Sequence, residues 1–226
     1  LGWGGFWFWD PVENISLMPW LCLTALLHCI LVLEKKESLV SWTVILSITT
    51  FTLSMSGTFL VRSGILNSVH TFANDPSRGI FILIFLFILI FMSLIVFFSF
   101  SKNENKSSRK TYFLSKEVSI LINNWFVMYF LSVVLIGTVY PIFLDVISAE
   151  KISVGPPFYQ KLITPFLIPF LLFMTFSSKL NWIKSEVKNK SSLIIFFIIS
   201  VALAFFILKN LTTDLLFYTI LISVTF

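Results

Sequence analysis

Charge is what this 226-residue sequence has least of: Asp, Glu, Lys and Arg make up 12% of it, against 57% hydrophobic residues. Soluble domains carry about a quarter charged residues, so a soluble fold is excluded and the chain reads as an integral membrane protein. Histidine occurs twice, cysteine twice, arginine three times and alanine five times. Cys22 and Cys29 share one apolar run. On a helix their Cα atoms lie about 10.5 Å apart, beyond the roughly 7 Å reach of a disulfide, and they form no CxxC redox or zinc motif. The sequence also lacks a glycine-rich phosphate loop, an internal repeat and a nucleophile constellation. Phe and Ile, which AT-rich codons specify, occur 27 times each; this points to an organellar or similarly AT-biased gene.

Long uncharged runs predict an all-α polytopic membrane protein of about six to seven spanning helices. The expected helices are Ser16 to Leu33, Ser41 to Leu60, Ile80 to Phe100, Ile120 to Tyr140, Leu162 to Trp182, Leu193 to Leu208 and a partial one from Thr213. Each full run is about long enough to cross a hydrocarbon core of roughly 30 Å. Loops 34–40, 101–117 and 177–192 carry 2, 5 and 4 Lys or Arg, whereas 61–79 and 139–161 carry 2 each. The positive-inside rule puts the richer side in the cytoplasm or mitochondrial matrix. The segment before the first helix, loop 61–79 and loop 139–161 then face the periplasm or intermembrane space. The net charge of +5 follows from the inner loops and calls for no nucleic-acid partner. Loop 101–117 is a solvated topogenic loop, and residues 183–226 form a C-terminal region whose last helix is cut short. The chain opens at Leu1 without a basic leader, so the expectation is a fragment or one piece of a split protein.

The densest chemistry lies at the start, WGGFWFWDPVEN, residues 3–14. Trp3, Phe6, Trp7, Phe8 and Trp9 offer π faces for a flat ligand or for a membrane interface. Asp10, Pro11, Glu13 and Asn14 read as a helix start, with an acid at N-cap, Pro at N1 and Glu at N3. His28 falls inside the first expected helix, among Leu26, Leu27, Ile30 and Leu31. An ionisable group there is costly and marks a functional site. Its imidazole suits iron, copper or zinc, or a hydrogen bond to a neighbouring helix. His70 sits in the outer loop 61–79 between Arg62 and Arg78, the only two basic residues of that loop. It is either solvated or a ligand flanked by arginine forks that pair with carboxylates. Taking the helix from Ser16, His28 lies about 18 Å below its outer end. Two axial nitrogens on one metal stand about 4 Å apart, each bond being near 2 Å, so the two histidines imply two sites.

The wording WGGFWFWDPVEN resembles the tryptophan-rich "WWD" signature of haem-handling membrane proteins, and DPVENISLMPWL resembles its CcmF branch, the haem lyase subunit of cytochrome c maturation. TALLHCILVLEKK, GTFLVRSGILNSVHTFANDPSRGIFIL, GTVYPIF and ISVGPPFY are similar to CcmF in order and spacing, over roughly residues 1–170. The related CcmC carries Arg and Leu after its WD, and CcsA a DP followed by Lys and Glu. A CcmC-like haem transfer or export protein is the alternative, and the NrfE branch shares the motifs. The resemblance implies a protein that takes haem from the chaperone CcmE and attaches it to the CxxCH motif of apocytochrome c through thioether bonds, together with a CcmH-type thiol protein. His28 matches the proposed ligand of a permanent haem b within the membrane. His70 matches a proposed axial ligand of the haem in transit, which Arg62 and Arg78 could hold by its propionates. The second histidine of each family haem has no match here, so the missing half of such a protein is expected on another chain. The expected setting is the lipid of the mitochondrial inner membrane, organelle-encoded, or otherwise the bacterial inner membrane.

Overall fold

The structure, a computed structural model, describes residues 7–65, 75–100, 112, 115–148, 152, 154–178, 180–182, 198, 199, 202 and 206. Among them are no strands and five long helices: α1 (Pro11–Lys36), α2 (Val40–Ser63), α3 (Pro76–Phe100), α4 (Lys116–Ser148) and α5 (Pro156–Ser178). All five are long and apolar enough to cross a membrane, and the chain is a polytopic membrane protein. The expected helices Leu193 to Leu208 and from Thr213 lie outside the described residues, apart from four isolated positions. Most of loop 101–117 lies outside them too.

Nine of the ten helix bounds differ from the hydropathy reading, and three of the differences have a local reason. α1 starts at Pro11 rather than Ser16 because its first turn is polar and capped: Asp10 is the N-cap, Pro11 opens the helix, and Asp10 and Glu13 form a reciprocal capping box. A hydropathy window misses such a turn, although the backbone is already helical. α4 runs to Ser148, through Pro141, and with α5 starting at Pro156 most of the expected outer loop 139–161 is helix. Proline in a membrane helix costs one backbone hydrogen bond and is tolerated where neighbours compensate. α5 opens on Pro156 and Pro157, whose missing N–H groups lie where a helix start has no use for them.

The described chain divides into two compact units. In the first, residues 1–108 with 127–159, α1 buries Asn14, Met18, Leu21, Cys22, Ala25, Cys29 and Val32. This stripe recurs every three to four residues and forms one helix face. Its opposite face exposes Trp20, Leu23, Leu27 and Leu31, as a lipid-facing surface does. Gly57 of α2 makes the α1 crossing close: a Cβ there would fall 2.5 Å from Ile15 Cγ2, the small-residue contact that lets membrane helices approach. Gly79 of α3 similarly lies on Ser63 of α2, where a Cβ would meet Ser63 Cα at 3.1 Å. In the second unit, residues 109–126 with 160–226, Phe126 and Phe170 pack with ring centroids 5.7 Å apart. There the Lys116 N–H donates to the Asn181 carbonyl at 2.9 Å.

Candidate functional site

The aromatic segment is built from its last residue outward. Trp9 has φ 59°, the left-handed region, which costs a non-glycine residue about 1–2 kcal/mol and must be held. Two contacts hold it. The indole stacks on Tyr159, ring centroids 4.3 Å apart and planes 7° from parallel, and the Trp9 carbonyl accepts from Asn14 Nδ2 at 3.1 Å. The same Nδ2 group donates to the Tyr159 hydroxyl at 2.9 Å. The Thr138 hydroxyl donates to the Val134 carbonyl at 2.7 Å. Asn14 Oδ1 is buried with no partner among the described residues.

Gly137 makes room for this stack: a Cβ there would stand 2.7 Å from Tyr159 Oη and 2.9 Å from Phe158 Cε1. Three stretches distant in sequence thus converge: residues 9–14, the Gly137–Thr138 pair of GTVYP, and the Phe158–Tyr159 pair of GPPFY. The sequence reading placed Asn14 among the capping residues. In the structure Asp10 accepts from Val12 N–H at 3.1 Å, and Glu13 Oε2 accepts from the Asp10 and Phe8 amides at 3.1 and 2.9 Å. Asn14 turns away to Tyr159. Its partner lies 145 residues on, and only the small-aromatic pairing of Gly137 with Tyr159 could have hinted at it.

Among the candidate ring residues, Trp9 is therefore a floor: one face lies on Tyr159, and Trp7 stands edge-on to it with centroids 6.1 Å apart. Trp7 and Phe8 are 36% and 42% exposed and present free ring surface. Trp3 and Phe6 lie outside the described residues, as does His70.

Arg62 and Arg78 take different places. Arg62 borders a groove of about 460 Å³ between α1 and α2, lined among others by Ile15, Pro19, Ser54, Gly57 and Thr58. Arg78 Nε pairs with Asp75 Oδ2 at 3.1 Å. Ser77 Oγ donates to Asp75 Oδ1 at 2.6 Å and the Arg78 amide at 3.2 Å. These bonds, with the Arg78 charge, hold the Asp75 carboxyl below the usual carboxylate range, Ser77 first.

His28 is on α1, about 25 Å along the axis from Pro11 and about 12 Å from Lys36, deeper than the hydropathy bounds implied. It is half-buried, and its Nδ1 is buried with no hydrogen-bond partner among the described residues. A buried unsatisfied ring nitrogen in apolar surroundings carries a desolvation cost of about 1–3 kcal/mol. A metal would take up that lone pair, so His28 fits an axial ligand. Among the described residues no cluster of three or more His, Cys, Asp or Glu could hold a bare metal ion.

Residues 1–67 match the model of the cytochrome C assembly protein family. The chain is 46% identical over 182 residues to the cytochrome c-type biogenesis protein CcmF of Pseudomonas aeruginosa, a match covering 80% of this chain and 28% of that relative. Along four-fifths of its own length the chain is similar to CcmF. The cytochrome c-type biogenesis protein NrfE of Haemophilus influenzae is 40% identical over 174 residues, 77% of this chain and 27% of its own length. A solved structure, "Cytochrome c Heme Lyase CcmF", superposes with a TM-score of 0.62 at 26% identity, covering 86% of this chain and 28% of that one. The chain thus spans less than a third of the length of these CcmF relatives.

Proposed function

We propose that this chain is a component of a cytochrome c haem lyase. In this reading it receives haem at its aromatic segment on the outer face of an inner membrane, mitochondrial or bacterial, and presents it to the CxxCH thiols of apocytochrome c. The observation that carries the reading is the similarity, along four-fifths of the chain, to proteins named CcmF. The distribution of Lys and Arg supports the orientation.

The chain's own residues supply binding and positioning. Trp7 and Phe8 offer exposed faces to a porphyrin, at about 0.5–1.5 kcal/mol per well-placed ring pair beyond burial, and Trp9 on Tyr159 fixes the level at which they stand. Asp10 and Glu13 are engaged by backbone N–H groups, so their charge is spent on the helix start rather than on proton transfer to a substrate. Arg62 offers its guanidinium to a propionate at the α1–α2 groove, and His70 serves the same haem in transit as an iron ligand. Haem b, held by His28, would supply one-electron chemistry within the membrane. In thioether formation the thiol S–H adds across the vinyl C=C, so the step needs alignment of two partners and no leaving group. A CcmE-type haem chaperone and a CcmH-type thiol protein are the partners this chemistry calls for.

The test is spectroscopic. The chain is co-expressed with the other cytochrome c maturation proteins, purified in detergent and reduced. A b-type haem band is expected from the wild type and should be lost in His28→Ala. No band in the wild type, or one indifferent to the substitution, overturns the His28 assignment.

A further inference from the structure

We infer that Asn14 and Tyr159 form a positioning relay that sets the aromatic segment before any ligand arrives, so that Trp7 and Phe8 stand in their ligand-facing arrangement in the empty protein. The inference depends on the proposal that this segment receives haem. Left-handed backbone at a tryptophan does not persist unless its surroundings over-determine it. Here they do so from two sides. The Tyr159 ring lies flat under the indole. One Asn14 amide group ties the Trp9 carbonyl to the Tyr159 hydroxyl.

Asn14 Nδ2 can only donate, so the Tyr159 hydroxyl oxygen accepts this bond. Tyr159 is 1% exposed and Asn14 1%, so water does not compete for these bonds. Gly137 completes the device by admitting the ring where any Cβ would collide. None of these residues presents a free face to a ligand. They act through Trp9, which reverses the chain and aims the rings before it.

Two measurements test the relay in the full chain in detergent, with hemin as the probe. Hemin is titrated by tryptophan quenching at a temperature where helicity is intact. Trp7→Ala should weaken binding in any case, since it removes a contact. Tyr159→Phe keeps the stack and removes only the hydroxyl, and should weaken hemin binding about tenfold, the effect of one buried hydrogen bond. If the wild type binds hemin and Tyr159→Phe binds it equally well, the relay is overturned and the haem reading stands. If Trp7→Ala leaves hemin binding untouched, it is the haem reading that falls. A second measurement needs no variant. Amide hydrogen exchange of residues 7–14 in the wild type should be slow without hemin and unchanged by it. Protection that appears only on adding hemin overturns pre-organisation.

Discussion

Two helices of this chain begin with the same pair of residues, Asp10-Pro11 at α1 and Asp75-Pro76 at α3, and the two starts are built to different depths. Both use local grammar: the aspartate carboxylate accepts from an amide of the first turn, and the proline stands where no N–H is needed. At α1 the next turn adds Asn14, fully buried and bonded to Tyr159. At α3 the additions are nearby: Arg78 in an ion pair with its side chain 75% exposed, and the Asp75 N–H donating to the Arg62 carbonyl at 2.9 Å. The same Asp-Pro start can therefore serve as a foundation for a site or simply as the closure of a helical hairpin. The residue that decides is the one after the cap, through what it can reach across the fold.

The comparison is broken most severely at Tyr159. Tyr159→Ala removes a buried ring and leaves a cavity, costing about 3–5 kcal/mol as for other large aromatic truncations; denaturant unfolding of the detergent-solubilised chain measures it. Gly137→Ala pushes a methyl into the same ring and should cost about 1–3 kcal/mol, with loss of the Trp9 stack visible in near-ultraviolet circular dichroism. Asp10→Ala removes the cap alone, at about 1 kcal/mol, and should leave the Trp9–Tyr159 stack in place; if the stack goes with the cap, the two layers at α1 are not separable. The smallest effect belongs to α3. The folded-state pKa of Asp75 is depressed, so its contribution is present above the ordinary carboxylate range and lost as pH falls through the folded value. Amide protection at Ser77 to Gly79, taken relative to intrinsic exchange at the same pH, should fall on acidification in the wild type. Asp75→Asn, an equally good cap, should flatten that dependence.

Much of the fold was legible because membrane helices announce themselves by length and apolarity. All five helices described here were expected, though their ends were not. Pro141 reads as a stop in a sequence, yet α4 continues through it, because a spanning helix has no water to satisfy backbone groups and is driven to remain helical. The Asp10, Pro11, Glu13 order was readable because capping signals act within four residues. The Asn14–Tyr159 bond was not, because nothing local marks which of several polar side chains will find a partner 145 residues away. The Arg78–Asp75 pair has i, i+3 spacing and was readable in principle. It was passed over because Arg78 was weighed against a ligand and not against its neighbour.

The hydrogen bond between Asn14 and Tyr159 also has a consequence for the order of assembly. The aromatic segment and α1 are made before α5, and their cap closes without it. Trp9 has no ring to rest on until the first turn of α5 has been synthesised and has folded back against α4. An insertion intermediate that lacks α5 would carry the signature residues without their shape.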